Sequence, residues 1–243
     1  ETISADANPT ERPPETAAEF FERGQSLLDQ DLPDAARADF LTAHAKSQDP
    51  WALAYASYAY ALSRQFPIAI EMAEQAMAQG AQSPELENNL GYLHGQVSNY
   101  PAALAHLDAA VRDLPDPHVA LFNRAMVRYQ MKLKRKPDAN DGQAIKDLEA
   151  ALAGGPSFAE RHFVSAQIFL AYSDQNLKLR ESALGQIGLS LRMGKDPAKV
   201  KSNPILKAAF GKDERFKKMV NAAPVADAAE PDRQDRLLEP RRP

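Results

Sequence analysis

The sequence contains no cysteine and no apolar run long enough to cross a bilayer. Without cysteine, structural disulfides and thiolate metal sites are both excluded, and the redox compartment is left open. The longest apolar stretch, residues 51–62, falls well short of the ~20 residues that a transmembrane helix needs. The 29 basic and 33 acidic side chains give a net charge of −4, which is too balanced to indicate a polyanionic or acidic partner. We therefore expect a protein that neither spans a membrane nor depends on disulfides.

The sequence also has no local pattern of the kind that supports catalysis. A nucleophile with its base, a phosphate-binding loop or a metal-ligand box would appear as residues at fixed spacing, and none is present. The many Glu and Asp side chains stand beside Lys and Arg on exposed helix faces, as solvated charge usually does. We predict no enzymatic activity, no cofactor and no metal site.

An alanine opens the same short helical pattern five times along the chain. These alanines are Ala36, Ala69, Ala103, Ala144 and Ala183, and successive members are separated by 33, 34, 41 and 39 residues. A period near 34 residues is typical of solenoids built from helix pairs, in which each unit completes the core of its neighbour. The sequence therefore predicts an all-α solenoid of about five helix pairs.

The clearest unit runs from Asn88 to Pro115, with Gly91 and Ala103 twelve positions apart. Small residues at this spacing let two antiparallel helices approach closely, while leucines fill the space between them. The pattern resembles the tetratricopeptide repeat (TPR), and the resemblance covers residues 16–193. It implies a right-handed solenoid.

Three positions of the repeat can be aligned in all five units. The small residue of the first helix falls on Gly24, Ser57, Gly91, Ala125 and Ala166. The large residue of the second helix falls on Phe40, Ala73, Leu107, Leu148 and Ile187, and the late small residue on Ala43, Ala76, Ala110, Ala151 and Ser190. The chain departs from the family at its early aromatic position, because the only tryptophan, Trp51, falls two positions before it.

Both ends of the chain differ in composition from the repeats. Residues 1–15 are proline-rich and lack an apolar period, which predicts a flexible linker. Order is expected to begin at Thr16, which can form a capping box with Glu19. The start at Glu1 rather than Met indicates a processed N-terminus or a fragment, and favours export to the periplasm over the cytoplasm.

The repeats occupy residues 16–224 together with a C-terminal helical cap. Two short helices, from Asn203 to Phe210 and from Asp213 to Val220, are expected to cover the last repeat. This segment is similar to the end of TPR regions in bacterial proteins, some of which are attached to serine/threonine kinases. Residues 225–243 are predicted to be a flexible tail. In that tail the pair Leu237-Leu238 is either solvated or, with Arg241-Arg242, a short docking motif.

The resemblance implies that partners bind on the concave face, which the first helix of each pair lines. The residues predicted to form this groove are Trp51, Tyr58, Asn88, Tyr92, Gln96, Phe122, Met126 and Tyr129. Such an aromatic surface is typical of a site that docks a peptide or helix. The alternative is that several of these rings fill the interior of a tightly wound superhelix.

Chaperone-binding members of the family hold a peptide's terminal carboxylate between asparagines and cations. Asn89 and Asn123 occupy the family's central asparagine position, but the flanking positions carry no cation. The sequence therefore argues against carboxylate binding, and the two asparagines are expected to form hydrogen bonds in the groove or between helices.

A second candidate surface is the basic run in the fourth repeat, which comprises Lys132, Lys134, Arg135 and Lys136. Two aspartates, Asp138 and Asp141, follow at once, so the run does not extend over a face as nucleic-acid binding requires. It is either a solvated loop or a contact for an acidic protein partner.

These patterns together predict a non-catalytic module that binds a protein or peptide, without nucleic acid or membrane insertion. We expect an adaptor or accessory subunit of a larger complex. The alternative is the sensor or scaffold portion of a longer signalling protein such as a serine/threonine kinase. The sequence leaves the partner and the oligomeric state open.

Overall fold

A computed structural model of the chain describes residues 13–136, 141–155, 157–174, 176–224 and 237–241. All regular secondary structure within these ranges is α-helical, which confirms the predicted fold class. None of the helices in the described ranges is both long and apolar enough to cross a membrane. The chain divides into two compact units, which are Glu1–Ser98 with Leu237–Pro243, and Asn99–Arg236.

Unit 1 contains five helices that pack in sequence order. They are α1 (Ala17–Asp29), α2 (Pro33–Ser47), α3 (Pro50–Leu62), α4 (Phe66–Ala78) and α5 (Pro84–Gln96). Each helix packs against the next, and α3 also contacts α5. This last contact places the first helices of successive pairs side by side, as the repeat pattern predicts.

Unit 2 continues with α6 (Tyr100–Asp113), α7 (His118–Leu133), α8 (Asp141–Gly154), α9 (Ala159–Ala171) and α10 (Leu177–Arg192). The cap that follows has three short helices rather than the predicted two: α11 (Pro197–Ser202), α12 (Pro204–Phe210) and α13 (Glu214–Ala222). Helix α12 packs on α9 and α13 on α10, and both join the apolar core of the last repeat.

The helix starts follow from local chemistry. The Thr16 hydroxyl accepts the Glu19 N–H, and the Glu19 carboxylate accepts the Thr16 N–H, so the predicted capping box is present. Proline occupies one of the first two positions of α2, α3, α4, α5 and α6, where the missing N–H has no helical partner to lose. Residues 1–12 of the predicted linker and Pro156 lie outside the described residues.

The helix crossings use the small residues that the sequence aligned. A Cβ atom added to Gly24 on α1 would lie 2.7 Å from a ring carbon of Phe40 on α2. The Ser57 hydroxyl on α3 donates a hydrogen bond of 2.7 Å to the Ala69 carbonyl on α4. The residues at all three aligned positions are buried in every repeat. The paired helices can therefore approach closely only if the aligned residue of the first helix is small.

The turn after each first helix contains one residue in the left-handed region. These residues are Asp31 (φ 59°), Arg64 (φ 58°), Ser98 (φ 64°), Arg135 (φ 53°) and Asp174 (φ 37°). At three of the turns the next N–H donates to a carbonyl five residues earlier, as in a Schellman motif: Leu32 to Leu27, Gln65 to Tyr60 and Lys136 to Met131, each at 2.9 Å.

Candidate functional site

The candidate site lies on α3 and α5 of unit 1, where the last described residues of the chain are seated. We call this surface the groove and residues 237–241 the C-terminal segment. Leu237 is only 6% exposed and belongs to one apolar cluster with Ala61, Ala69 and Leu93. Tyr58 and Tyr92, both partly buried, pack against the same cluster. An apolar pocket with tyrosines at its edge therefore holds the leucine.

Asn89 on α5 holds the backbone of the next residue. Its Nδ2 donates to the Leu238 carbonyl at 2.6 Å, and the Leu238 N–H donates to its Oδ1 at 2.7 Å. The Asn88 amide donates to the same Oδ1 at 3.2 Å, which fixes the orientation of the Asn89 amide. This pair of bonds recognises an extended backbone and is independent of the side chain at that position.

Tyr55 on α3 forms the next contact along the segment. Its hydroxyl donates to Glu239 Oε1 at 3.1 Å and accepts a bond from Gln25 Nε2 at 3.3 Å. The ring packs against Phe21 and Phe40, with centroid distances of 4.9 and 5.2 Å. These ring contacts hold Tyr55 in place and thereby fix the position of its hydroxyl.

The exposure of the segment varies along its length. Leu237 and Pro240 are buried, Leu238 is partly buried, and Glu239 and Arg241 are exposed. The sequence analysis predicted a flexible tail over residues 225–243. Its described part differs from that expectation because Leu237 gains an apolar pocket and Leu238 gains two hydrogen bonds. Residues 225–236, 242 and 243 lie outside the described residues.

The predicted groove residues of unit 1 have three different environments. Tyr58 and Tyr92 pack against the cluster that holds Leu237, and Asn88 orients Asn89. Trp51 is buried in a separate cluster with residues of α4 and α5 and therefore has a packing role. Gln96 is the last residue of α5 and is partly exposed.

The predicted groove residues of unit 2 fit the alternative in which the rings fill the interior. Phe122 and Tyr129 are buried in the core cluster of the last repeats, and Met126 packs against it. The Arg161 guanidinium lies 4.8 Å from the Phe122 ring centroid. Burial raises the pKa of the Tyr129 phenol, because the charged form would lose its hydration.

Lys132 of the basic run is partly buried, whereas the other three basic residues are exposed. Lys132 is in the last turn of α7, with its ammonium 4.6 Å from the centroid of the Tyr172 ring. The Lys134 ammonium lies 5.5 Å from the Tyr100 ring centroid. Lys134, Arg135 and Lys136 are exposed, and residues 137–140 lie outside the described residues.

Three hydrogen-bonded side chains in unit 2 follow the order of a nucleophile, a base and an orienting group. The Ser157 hydroxyl lies 2.7 Å from His162 Nε2, and His162 Nδ1 lies 2.5 Å from Gln186 Oε1. A neutral glutamine orients the imidazole but supplies no negative charge to stabilise the imidazolium that a catalytic base becomes. These hydrogen bonds therefore connect α9 to α10. The sequence had not indicated them, because Gln186 lies 24 residues after His162.

Sequence reasoning did not place Tyr55 in the site and gave Asn89 only a general hydrogen-bonding role. The usable signals were the family's central asparagine position at Asn89 and the leucine pair in an otherwise polar tail. Their pairing could not be deduced, because Asn89 and Leu238 are 149 residues apart in the chain.

No known protein-family profile matches the chain. No curated protein sequence matches it either. Several solved structures do match in fold. PilW, a widely conserved type IV pilus biogenesis factor, has a TM-score of 0.67 at 17% identity, covering 88% of this chain and 91% of its own.

Two further structures are described as TPR proteins. YrrB, a TPR protein with an unusual peptide-binding site, has a TM-score of 0.54 at 18% identity, covering 73% of this chain and 86% of its own. The C-terminal part of a TPR repeat-containing protein from Cytophaga hutchinsonii has a TM-score of 0.57 at 16% identity, covering 85% of this chain and 76% of its own. At these identities the likeness establishes the fold.

Proposed function

We propose that this chain, which has the fold of the tetratricopeptide-repeat proteins, is a non-catalytic adaptor that holds an extended peptide in the groove of α3 and α5. The TPR neighbours support a protein-interaction module in general. The groove supports the finer role, because it already contains an extended peptide segment.

The observation that carries the proposal is the pair of hydrogen bonds between Asn89 and the Leu238 backbone. A side-chain amide that both donates to and accepts from one residue fixes the position and direction of an extended strand. Asn89 is only 2% exposed with the segment bound, and leaving a buried amide without partners is costly, so the site favours a ligand that satisfies both of its polar atoms. The site is therefore complementary to a peptide backbone.

The aromatic wall supplies the remaining binding energy. Tyr58 and Tyr92 combine a large apolar face with a polar hydroxyl, which is the composition that hot spots of protein interfaces favour. The Tyr92 ring is supported edge-on by Phe66 at a centroid distance of 6.2 Å. A rigid wall of this kind loses little conformational entropy when a ligand is bound.

The test is a titration of the full-length Leu237→Asp chain, whose own segment has lost its apolar anchor, with a labelled peptide of sequence RLLEPR, followed by fluorescence anisotropy. The two further substitutions are made in this background, so that the resident segment does not mask their effect. We expect Asn89→Ala to weaken binding about tenfold or more, because it removes two hydrogen bonds worth about 1 kcal/mol each. Asn123→Ala is the matched control, since Asn123 is equally buried but belongs to unit 2. Equal loss in both variants, or no binding by any chain, would refute the assignment of the groove.

A further inference from the structure

We propose that the partner of the groove carries the pattern leucine, any residue except proline, glutamate, proline, and that it binds by displacing the chain's own residues 237–240. The inference rests on the proposed function of the groove. It adds the sequence that a ligand must have, and it identifies residues 237–240 of the chain as the segment that competes with that ligand.

The first position of the pattern is set by the pocket of Leu237. Alanines at Ala61 and Ala69 leave room beside Leu93, and the tyrosines Tyr58 and Tyr92 close the cluster. A leucine side chain fills this space and is almost completely removed from water. A charged residue here would lose its hydration without gaining a partner, so the pocket selects for an apolar side chain.

The second position is read through the backbone alone. Both bonds from Asn89 go to the N–H and the carbonyl of Leu238, and the Leu238 side chain is partly exposed. Any residue with a backbone N–H satisfies these bonds. Proline has no N–H and would leave the Asn89 Oδ1 without its ligand donor.

The third and fourth positions are set by Tyr55 and by burial. The Tyr55 hydroxyl already accepts from Gln25, so its proton is directed toward an acceptor such as the Glu239 carboxylate. Pro240 is buried and has no N–H that would need a partner there. A proline also disfavours helix for the residue before it, which keeps Glu239 extended in the free ligand as well.

The resident segment sets the conditions for binding. Because it belongs to the same polypeptide, it binds in an intramolecular step and competes at a high effective concentration. A partner with the same four contacts has to exceed this concentration or make additional contacts. In the free protein the resident segment therefore occupies the groove. Only a matching segment at high local concentration displaces it.

The experiment compares the RLLEPR probe on the full chain with and without its competitor. Leu237→Asp removes the apolar anchor of the resident segment without changing α3 or α5. We expect this variant to bind the probe at least tenfold more tightly than the wild-type chain. Leu177→Asp is the matched control, because Leu177 is an exposed leucine in unit 2, and it should bind the probe as the wild type does.

Three probe variants test the pattern on the Leu237→Asp chain. Alanine at the second position should keep the affinity within about twofold, whereas proline there should lower it about fivefold or more, since one backbone bond of about 1 kcal/mol is lost. Aspartate at the first position should abolish measurable binding. In the wild-type chain, adding unmodified probe should accelerate hydrogen exchange at the Leu238 amide, which leaves its bond to Asn89.

Each other outcome contradicts a definite statement. Equal probe affinity of the wild-type and Leu237→Asp chains would refute displacement while leaving the groove function intact. Binding by neither chain would refute the proposed function itself. Concentration-dependent self-association that disappears in Leu237→Asp would show that a second copy supplies the segment, which overturns competition within one chain.

Discussion

Asp147 on α8 accepts four side-chain hydrogen bonds, and its neutralisation tests how the packing of α7 against α8 is held. It is 1% exposed and accepts from Arg124 Nε and Nη2 at 2.8 and 2.7 Å. Arg128 Nη1 donates to it at 2.5 Å and Gln143 Nε2 at 2.7 Å. The bonds to Asp147 raise the pKa of Arg124, whereas burial lowers the pKa of Arg128.

Asp147→Asn keeps the shape of the side chain but removes the negative charge between two arginines. Loss of one partner from a buried ion pair costs about 3–5 kcal/mol, because the remaining charge stays buried. Arg124 keeps a second carboxylate, Asp108, at 2.8 Å, which moderates the cost. We therefore expect the free energy of unfolding to fall by about 3 kcal/mol, toward the lower end of that range.

The assay is a urea titration followed by far-UV circular dichroism, with the slope of the transition compared between variants. Asp113→Asn is the control, because Asp113 forms a similar two-bond pair with Arg112 but on the surface. Its unfolding midpoint should match that of the wild type. An Asp147→Asn midpoint as high as that of the control would refute the argument that this charge cluster holds α7 to α8.

Two further predictions concern single contacts. Gly24→Ala should destabilise unit 1 by about 1 kcal/mol or more, because the new Cβ overlaps the Phe40 ring. Gly185→Ala on α10 is the control: its Cβ meets no neighbouring atom within 4 Å, so it should stabilise the chain by up to about 1 kcal/mol. Urea midpoints that move in the same direction for both variants would contradict this. Arg215 lowers the pKa of the Glu181 carboxyl, so the tie between α13 and α10 is present above pH about 4.3 and weakens as the pH falls through the depressed value. Arg215→Gln should reduce the acid sensitivity of amide-exchange protection in α13 to the part that the Asp213 N-cap contributes, and an unchanged profile would show that the pair does not hold the cap.

The repeat architecture could be predicted from the sequence because its crossings admit few residue types. Gly24 faces Phe40 at a distance that no Cβ could occupy, and equivalent small residues recur at each crossing. The number of cap helices could not be predicted in the same way. Helix α11 (Pro197–Ser202) is too short to display an apolar period, so only the two helices after it were expected.

The candidate site was predictable only in part. Helical spacing identifies the face of a first helix but not whether that face is open, so Tyr92 beside Leu237 and the buried Phe122 had the same sequence signature. Asn89 could be recognised as a polar groove position. Its ligand is supplied by Leu238 from the far end of the chain, and such a non-local pairing leaves no periodic trace.

The left-handed residue after each first helix bears on how the stability of the chain could be engineered. Each of the five turns has one residue with positive φ, and these residues are aspartate, arginine, serine, arginine and aspartate, none of which is glycine. Each non-glycine residue in this region costs about 1 kcal/mol. Replacing Arg64 or Arg135 with glycine should therefore remove this cost and raise the stability of the chain without altering the groove.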